Sequence, residues 1–304
     1  MGCRSILLLA ASLVLITASA WGAADEAADR YRGILEELSL KSKSISPHEL
    51  VNLAEKRFLE FIDRYPGTPE AANARFNLGR IFAQIGRYAE AVENLEGFLD
   101  AQVERKPEEA TLARYMLAQS HLALERFDET EALFKEILES GSTNRKIVGM
   151  ASRELARVKI LRKLTIGSPA IDFSTVSSEG EKVTLSAFKG KVVLLDFWAS
   201  WCAPCRQEMP NVKKVYEDYN GKGFEIIGIS LDESREKFKG YVNMYALPWV
   251  QIFDGKGWMS RIGQLYAVNA IPATVLLDQQ GNIRYKNVRG KELRRAVDAL
   301  IDGE

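Results

Sequence analysis

The 304-residue sequence is long enough for two ordinary domains, and its 46% apolar and 27% charged residues supply a globular composition with ample core material. Lys+Arg and Asp+Glu balance at 41 each. No basic excess exists to neutralise phosphates, which argues against nucleic acid as a partner.

The first two dozen residues differ from the rest. Arg4 precedes the apolar run ILLLAASLVLI (Ile6–Ile16), and small residues follow to Ala20. A positive start, an apolar stretch and a small-x-small site predict a secretory signal peptide over residues 1–24, cleaved after Ala20 or Ala24. The uncharged stretch Ile6–Ala24 is also long enough to cross a bilayer core of about 30 Å, so a retained N-terminal anchor is the alternative. Both readings export the protein, to the periplasm. Cys3 precedes the apolar run, where no lipidation pattern wants it, and Ile6 stands where myristoylation wants Ser or Thr. Once the leader is removed, only Cys202 and Cys205 remain.

From about Pro47 to Leu164 the apolar spacing is helical: Leu78, Ile81, Phe82 and Ile85 recur on one face, as do Val92, Leu95, Phe98 and Leu99. The stretch Arg75–Leu99 aligns with Arg114–Leu138, 39 residues later, with Leu78 on Leu117, Gly79 on Ala118, Tyr88 on Phe127 and Leu95 on Phe134. Small residues at Gly79 and Ala118 allow helices to approach closely, and Tyr88 and Phe127 plug the turns. The pattern resembles the tetratricopeptide repeat, whose period is about 34 residues, with the excess in a loop. Residues 25–164 are therefore expected to form an all-α, tetratricopeptide-like repeat domain that docks a protein partner; an unspecialised helical hairpin array is the alternative. A preceding helix ends at Tyr65-Pro66-Gly67, and a last one is expected over Ile147–Leu164.

Leucine and alanine then give way to β-branched runs. The segment after Ile166 carries Gly-Ser-Pro and Ser-Ser-Glu-Gly punctuation, marking a boundary and a hairpin. Strand-like runs follow at KVVLLDFWA, FEIIGISL, WVQIF, ATVLLD and NIRYKNV, the last two joined by a tight turn through Gln280-Gly281. Helical stretches follow Pro204, Glu233, Trp258 and Gly290, so residues 165–304 are expected to form an α/β domain with a sheet covered on both faces.

The segment WASWCAPCRQEMP (Trp198–Pro210) carries the chemistry. A C-x-x-C pair serves zinc, copper, haem attachment, a structural staple or dithiol–disulfide exchange. Zinc wants about four ligands, and the only histidines, His48 and His121, lie in the helical half. Copper delivery wants a histidine nearby, and haem attachment wants one after Cys205, where Arg206 stands. A bridge closing so short a loop restrains the unfolded chain little. Exchange needs only the pair and its setting. Pro204 sits where a helix begins, which puts Cys202 at the helix N-terminus, where unpaired N–H groups favour a thiolate. Cys205, one turn inward, is more shielded, so Cys202 attacks and Cys205 resolves. Asp196 is the only charge in VVLLDFWA; desolvation beneath the cysteines raises its pKa, and it accepts the Cys205 proton. Glu208, three residues after Cys205, shares its helical face.

The longer stretch KVTLSAFKGKVVLLDFWASWCAPCRQEMP resembles the TlpA/ResA-like thiol–disulfide oxidoreductases of the thioredoxin superfamily, a likeness running from about Ile166 to the C-terminus. It implies a thioredoxin-like fold, a central mixed sheet flanked by helices with an N-terminal β-hairpin. It also implies Cys202 as nucleophile, Cys205 as resolving thiol, Asp196 as buried proton acceptor and Glu208 as a group tuning the site. Pro210 matches the proline that kinks the active-site helix. In YAVNAIPATVLLD, Pro272 matches a cis-proline facing the disulfide, and Ile271 offers its backbone to an extended substrate strand; Trp201 belongs to the same substrate-binding surface. The family reading implies protein disulfide or dithiol substrates, net reduction, a membrane thiol reductant upstream, and no metal or organic cofactor. Two other functions compete: a binding scaffold with a redox-inert thioredoxin fold, and a thiol peroxidase. A peroxidatic cysteine at position 202 would want a proline seven residues earlier and Thr or Ser three earlier, where Leu195 and Ala199 stand.

Overall fold

A computed structural model of the chain describes residues 23–101, 103 and 106–303. Cys3 and nearly all of the expected leader, residues 1–22, lie outside the described residues. Among the described residues no helix is long and apolar enough to cross a membrane. The chain divides into two compact units between Val158 and Lys159. The change in composition near Leu164 comes slightly later, because Ile160 and Leu164 already pack into the second unit's core.

Among the described residues the first unit holds seven helices: α1 (Ala23–Lys41), α2 (Pro47–Arg64), α3 (Pro69–Ile85), α4 (Tyr88–Asp100), α5 (Pro107–Ala123), α6 (Phe127–Glu139) and α7 (Arg145–Leu161), the last running across the division. Their starts are chemically marked. Ser46 and Glu49 form a reciprocal capping box before α2, Thr68 caps α3, and Pro47, Pro69 and Pro107 occupy first-turn positions that need no N–H. Gly86 ends α3 with φ 84°, a left-handed conformation that glycine adopts without a Cβ penalty. Successive helices from α1 to α6 pack as neighbours. Leu78, Phe82, Val92, Leu95 and Phe98 are buried as the helical spacing predicts, whereas Ile85 remains 39% exposed at the helix end. Gly79 sets the closest approach of α3 to α4: a Cβ there would stand 2.6 Å from Leu95 Cγ. Helix α1 carries a legible face as well, with Ala27, Tyr31, Ile34 and Leu38 buried.

In the second unit a short antiparallel hairpin, β1 (Ser174–Val176) with β2 (Lys182–Thr184), precedes a mixed five-stranded sheet. The strands β3 (Val192–Trp198), β4 (Phe224–Ser230), β5 (Val250–Phe253), β6 (Ala273–Leu277) and β7 (Ile283–Lys286) lie in the order β5-β4-β3-β6-β7. β3, β4 and β5 run parallel; β6 is antiparallel to β3, and β7 to β6. Every residue of β3 is buried. Side chains alternate faces along a strand, so this uninterrupted burial means that both faces of the central strand are covered. Four helices follow the strands: α8 (Ala203–Tyr219), α9 (Arg235–Tyr245), α10 (Arg261–Leu265) and α11 (Gly290–Asp302). Placing β3 in the centre delivers its C-terminal end, and α8 directly after it, to the position where open α/β sheets build their sites.

Candidate active site: a disulfide at a helix start

Trp198 ends β3, and four residues later Cys202 is the N-cap from which the chain turns into α8. Cys202 and Cys205 are joined by a disulfide with Cα atoms 5.2 Å apart. The Cys205 backbone N–H donates to Cys202 Sγ at 3.2 Å, so the sulfur occupies the capping position that an oxygen usually fills. The same N–H and the positive end of the helix stabilise negative charge on that sulfur once the bridge opens. Pro204 sits in the first turn, and Pro210 lies inside the helix, where it offers no N–H to the carbonyl of Arg206. In the bridged state both cysteines are buried, at 4% and 2% exposure, so the difference in shielding expected between them is small here.

Asp196 lies on β3 beneath this turn, across the ladder from Thr274, and is 4% exposed. A cavity of about 10 Å³, room for about one water molecule, is lined by Asp196, Cys205, Glu208, Pro272, Thr274 and Arg289 among others. Burial pushes the Asp196 carboxyl up to about 7; the Glu208 charge adds to the rise and the Arg289 guanidinium opposes it. Glu208 itself is held by two donors. Its Oε1 accepts from the Gly290 backbone N–H and from Asn211 Nδ2, both at 2.7 Å, which ties α8 to the first residue of α11.

The Ile271–Pro272 peptide is cis, and Pro272 lines the same cavity as Cys205. Arg289 donates to the Pro272 carbonyl, joining the cis segment to the start of α11. Ile271 is half-buried against the core. Trp201, next to the disulfide, is 51% exposed and packs against Trp258, with ring centroids 6.0 Å apart. Thus one cavity gathers Cys205, Asp196, Glu208 and Pro272, Cys202 caps the helix above it, and Trp201 forms the adjoining surface.

Sequence reasoning missed three supports. Arg289 carries no local signal, since only the fold brings it to Pro272. Thr274 donates to the Val288 carbonyl and borders the cavity from β6. Asp232 lacks the isolation that picked out Asp196, since Glu225 stands in the same strand and Glu233 follows it directly. It is 1% exposed and accepts from the Ser200 backbone N–H at 3.0 Å, Ser200 Oγ at 2.6 Å and Ser230 Oγ at 2.8 Å. This buried carboxylate fastens the turn that carries Trp201 and Cys202 to the end of β4.

Both units are similar in sequence to known proteins. Residues 166–286 fit the AhpC/TSA family, and residues 51–102 and 85–145 fit the tetratricopeptide repeat. The thiol-disulfide oxidoreductase ResA of Bacillus thuringiensis subsp. konkukian is 35% identical over 139 residues, which span 46% of this chain and 78% of that protein. The thioredoxin-like protein YneN of Bacillus subtilis is 36% identical over 138 residues, spanning 43% of this chain and 78% of YneN. A solved thioredoxin domain of a thiol-disulfide oxidoreductase from Bacteroides vulgatus is 33% identical, with a TM-score of 0.43 over 45% of this chain and 99% of that domain. The chain belongs to the ResA-like thiol–disulfide oxidoreductases of the thioredoxin superfamily, and it carries tetratricopeptide repeats ahead of its thioredoxin-like unit.

Proposed function

We propose that this oxidoreductase is exported and reduces protein disulfides through Cys202 and Cys205. The observation that carries the reading is the Cys202–Cys205 bridge at the start of α8, above a cavity shared by Cys205 and a buried carboxyl with a pKa near 7. In the dithiol form, the Cys202 thiolate attacks a substrate disulfide. One Cys202–substrate bond forms, the substrate S–S bond breaks, and one substrate sulfur leaves as a thiolate. Asp196 then takes the proton of Cys205, whose sulfur attacks Cys202 Sγ. The mixed disulfide breaks, the second substrate sulfur departs, and the intramolecular bridge closes. Two electrons have moved from the cysteine pair to the substrate. A thiol reductant, most simply one held in the membrane, returns two electrons to reopen the bridge.

Glu208 sets the charge beside Asp196 and so the proton affinity of that carboxyl. Trp201, Ile271 and Pro272 present the surface on which an extended substrate segment lies beside the disulfide. Residues 165–304 perform this chemistry, residues 25–164 dock a protein partner, and residues 1–24 direct export as a cleaved signal or a retained anchor. No bound metal or organic cofactor enters the cycle. Leu195 and Ala199, at the places where a peroxidatic cysteine wants proline and a hydroxyl, disfavour peroxide as substrate.

The test uses two serine variants of the full chain. Cys205→Ser is expected to accumulate a mixed disulfide with substrate through Cys202, because resolution is blocked, whereas Cys202→Ser traps nothing. Alkylation of the reduced protein should label Cys202 first. Trapping through position 205, or labelling of Cys205 first, would overturn the assignment.

A further inference from the structure

The loop between β5 and α10 is built to hold two large apolar side chains in water. Trp258 is 42% exposed and Met259 is 69% exposed. The loop that carries them is closed on itself. Asp254 accepts from the Lys256 backbone N–H at 3.0 Å through one carboxylate oxygen and from the Arg261 N–H at 2.9 Å through the other. Gln264 Nε2 donates to the Trp258 carbonyl at 2.7 Å, pinning the short 3-10 turn Gly257–Met259. Gly257 has φ 54°, and a Cβ there would stand 2.7 Å from Glu233 Oε1. A loop so fully cross-braced loses little conformational freedom when something binds to it, which lowers the cost of binding. Trp258 also touches Trp201, the residue before Cys202. The apolar surface is therefore continuous from the disulfide outward, and contiguous exposed apolar surface of this kind marks an interaction site.

We infer that Trp258 and Met259 select substrates, receiving a large aliphatic or aromatic side chain that flanks the substrate's cysteine in an extended segment. This deepens the disulfide-reducing reading and rests on it. The occupant follows from the geometry. A side chain that flanks the sulfur being attacked reaches Trp201 and Trp258, since Trp201 is adjacent in sequence to Cys202 and packs against Trp258. Two rings at an interplanar angle of 56° form an open, tilted wall rather than a stack, and the thioether of Met259 adapts to the outer end of the bound group.

The test measures kcat/KM of the full-length reduced protein on two disulfide-bridged peptides that differ only in the residues flanking one cysteine, Phe-Leu in one and Ser-Ser in the other. The wild-type protein is expected to prefer the apolar peptide by about tenfold, the low end of what burying a large apolar side chain supplies. Trp258→Ser and Met259→Ser should each bring the ratio of the two values toward one. Met259 is so exposed that its substitution leaves the fold intact, and Trp258→Phe should restore much of the preference lost in Trp258→Ser. A wild-type ratio near one, or variants that keep the wild-type ratio, would overturn the inference. A wild-type protein that reduces neither peptide would instead overturn the disulfide-reducing reading beneath it.

Discussion

Replacing Asp196 by Asn tests the chemistry assigned to the cavity through a property other than activity. The carboxyl rises from 3.8 to about 7 on folding, chiefly because burial penalises its charge. Between these two values the folded protein keeps a proton that the unfolded chain has released. Folding is therefore opposed increasingly as the pH rises through that window, and the penalty is complete above about pH 7. One pKa unit corresponds to about 1.4 kcal/mol, so the full penalty is about 4 kcal/mol. Asparagine has the same shape and no charge to desolvate. In the oxidised protein, where neither cysteine titrates, Asp196→Asn should have nearly wild-type stability near pH 4 and exceed it by about 4 kcal/mol at pH 8. For a unit of this size the gain is on the order of 10 °C in melting temperature.

Four of the five tryptophans, Trp198, Trp201, Trp249 and Trp258, lie in the second unit and the fifth is Trp21, so tryptophan fluorescence during chemical denaturation at pH 4.5 and pH 8 reports chiefly the relevant transition. A stability gap that is the same at both values, or a variant less stable than wild type at pH 8, would refute the account of this carboxyl as a desolvated, uncompensated acid. The same substitution should slow the resolving step by about a hundredfold, the lower range for a positioned general base, and leave the first attack by Cys202 much less affected. Stability gained and rate lost in one variant would show that the buried charge serves the proton transfer at the expense of the fold.

Much of this site was readable because its determinants are local. The apolar run around Asp196 predicted a buried strand, and the proline two residues after Cys202 predicted a helix start; neither depends on distant residues. The repeat helices were legible for the same reason, since a 3.6-residue period and a small residue at Gly79 express packing in the sequence itself. Helix α1 was equally periodic and went unread only because it adjoins the leader. What could not be read is tertiary. Arg289 reaches the Pro272 carbonyl, and Glu208 reaches the Gly290 N–H, only because α11 returns beside α8. The exposure of Trp258 was hidden for the opposite reason: a tryptophan in a loop is normally a core anchor, and nothing local announces that a brace of Asp254, Gly257 and Gln264 turns it outward.

Two further perturbations probe the supports of the site and of the repeats. Asp232→Ala should strip the Ser200 N–H and both serine hydroxyls of their acceptor, destabilising the second unit by about 2–4 kcal/mol, and should lower the fraction of Cys202 thiolate at neutral pH as the turn before α8 loosens; iodoacetamide reactivity against pH that superimposes on wild type would rule out this positioning role. Gly79→Val tests whether the repeats and the redox unit have separate cores. A Cβ at position 79 would lie 2.6 Å from Leu95 Cγ, 2.9 Å from Leu95 Cδ2 and 3.3 Å from the Ala91 carbonyl oxygen. Leu95 is wholly buried among Val92, Phe98 and Leu117, so it has nowhere to retreat, and the backbone oxygen cannot move without shifting α4. Overpacking of this kind costs about 1–3 kcal/mol, which should appear as an earlier loss of helical circular dichroism on heating. Among the described residues the core around β3 shares none with the cores of the repeat helices α1 to α7 that end at Val158. Insulin reduction at 25 °C should therefore proceed at the wild-type rate in the Gly79→Val protein. A parallel fall in both signals would mean that the two units are energetically one, and the assignment of partner docking to one and chemistry to the other would fail with it.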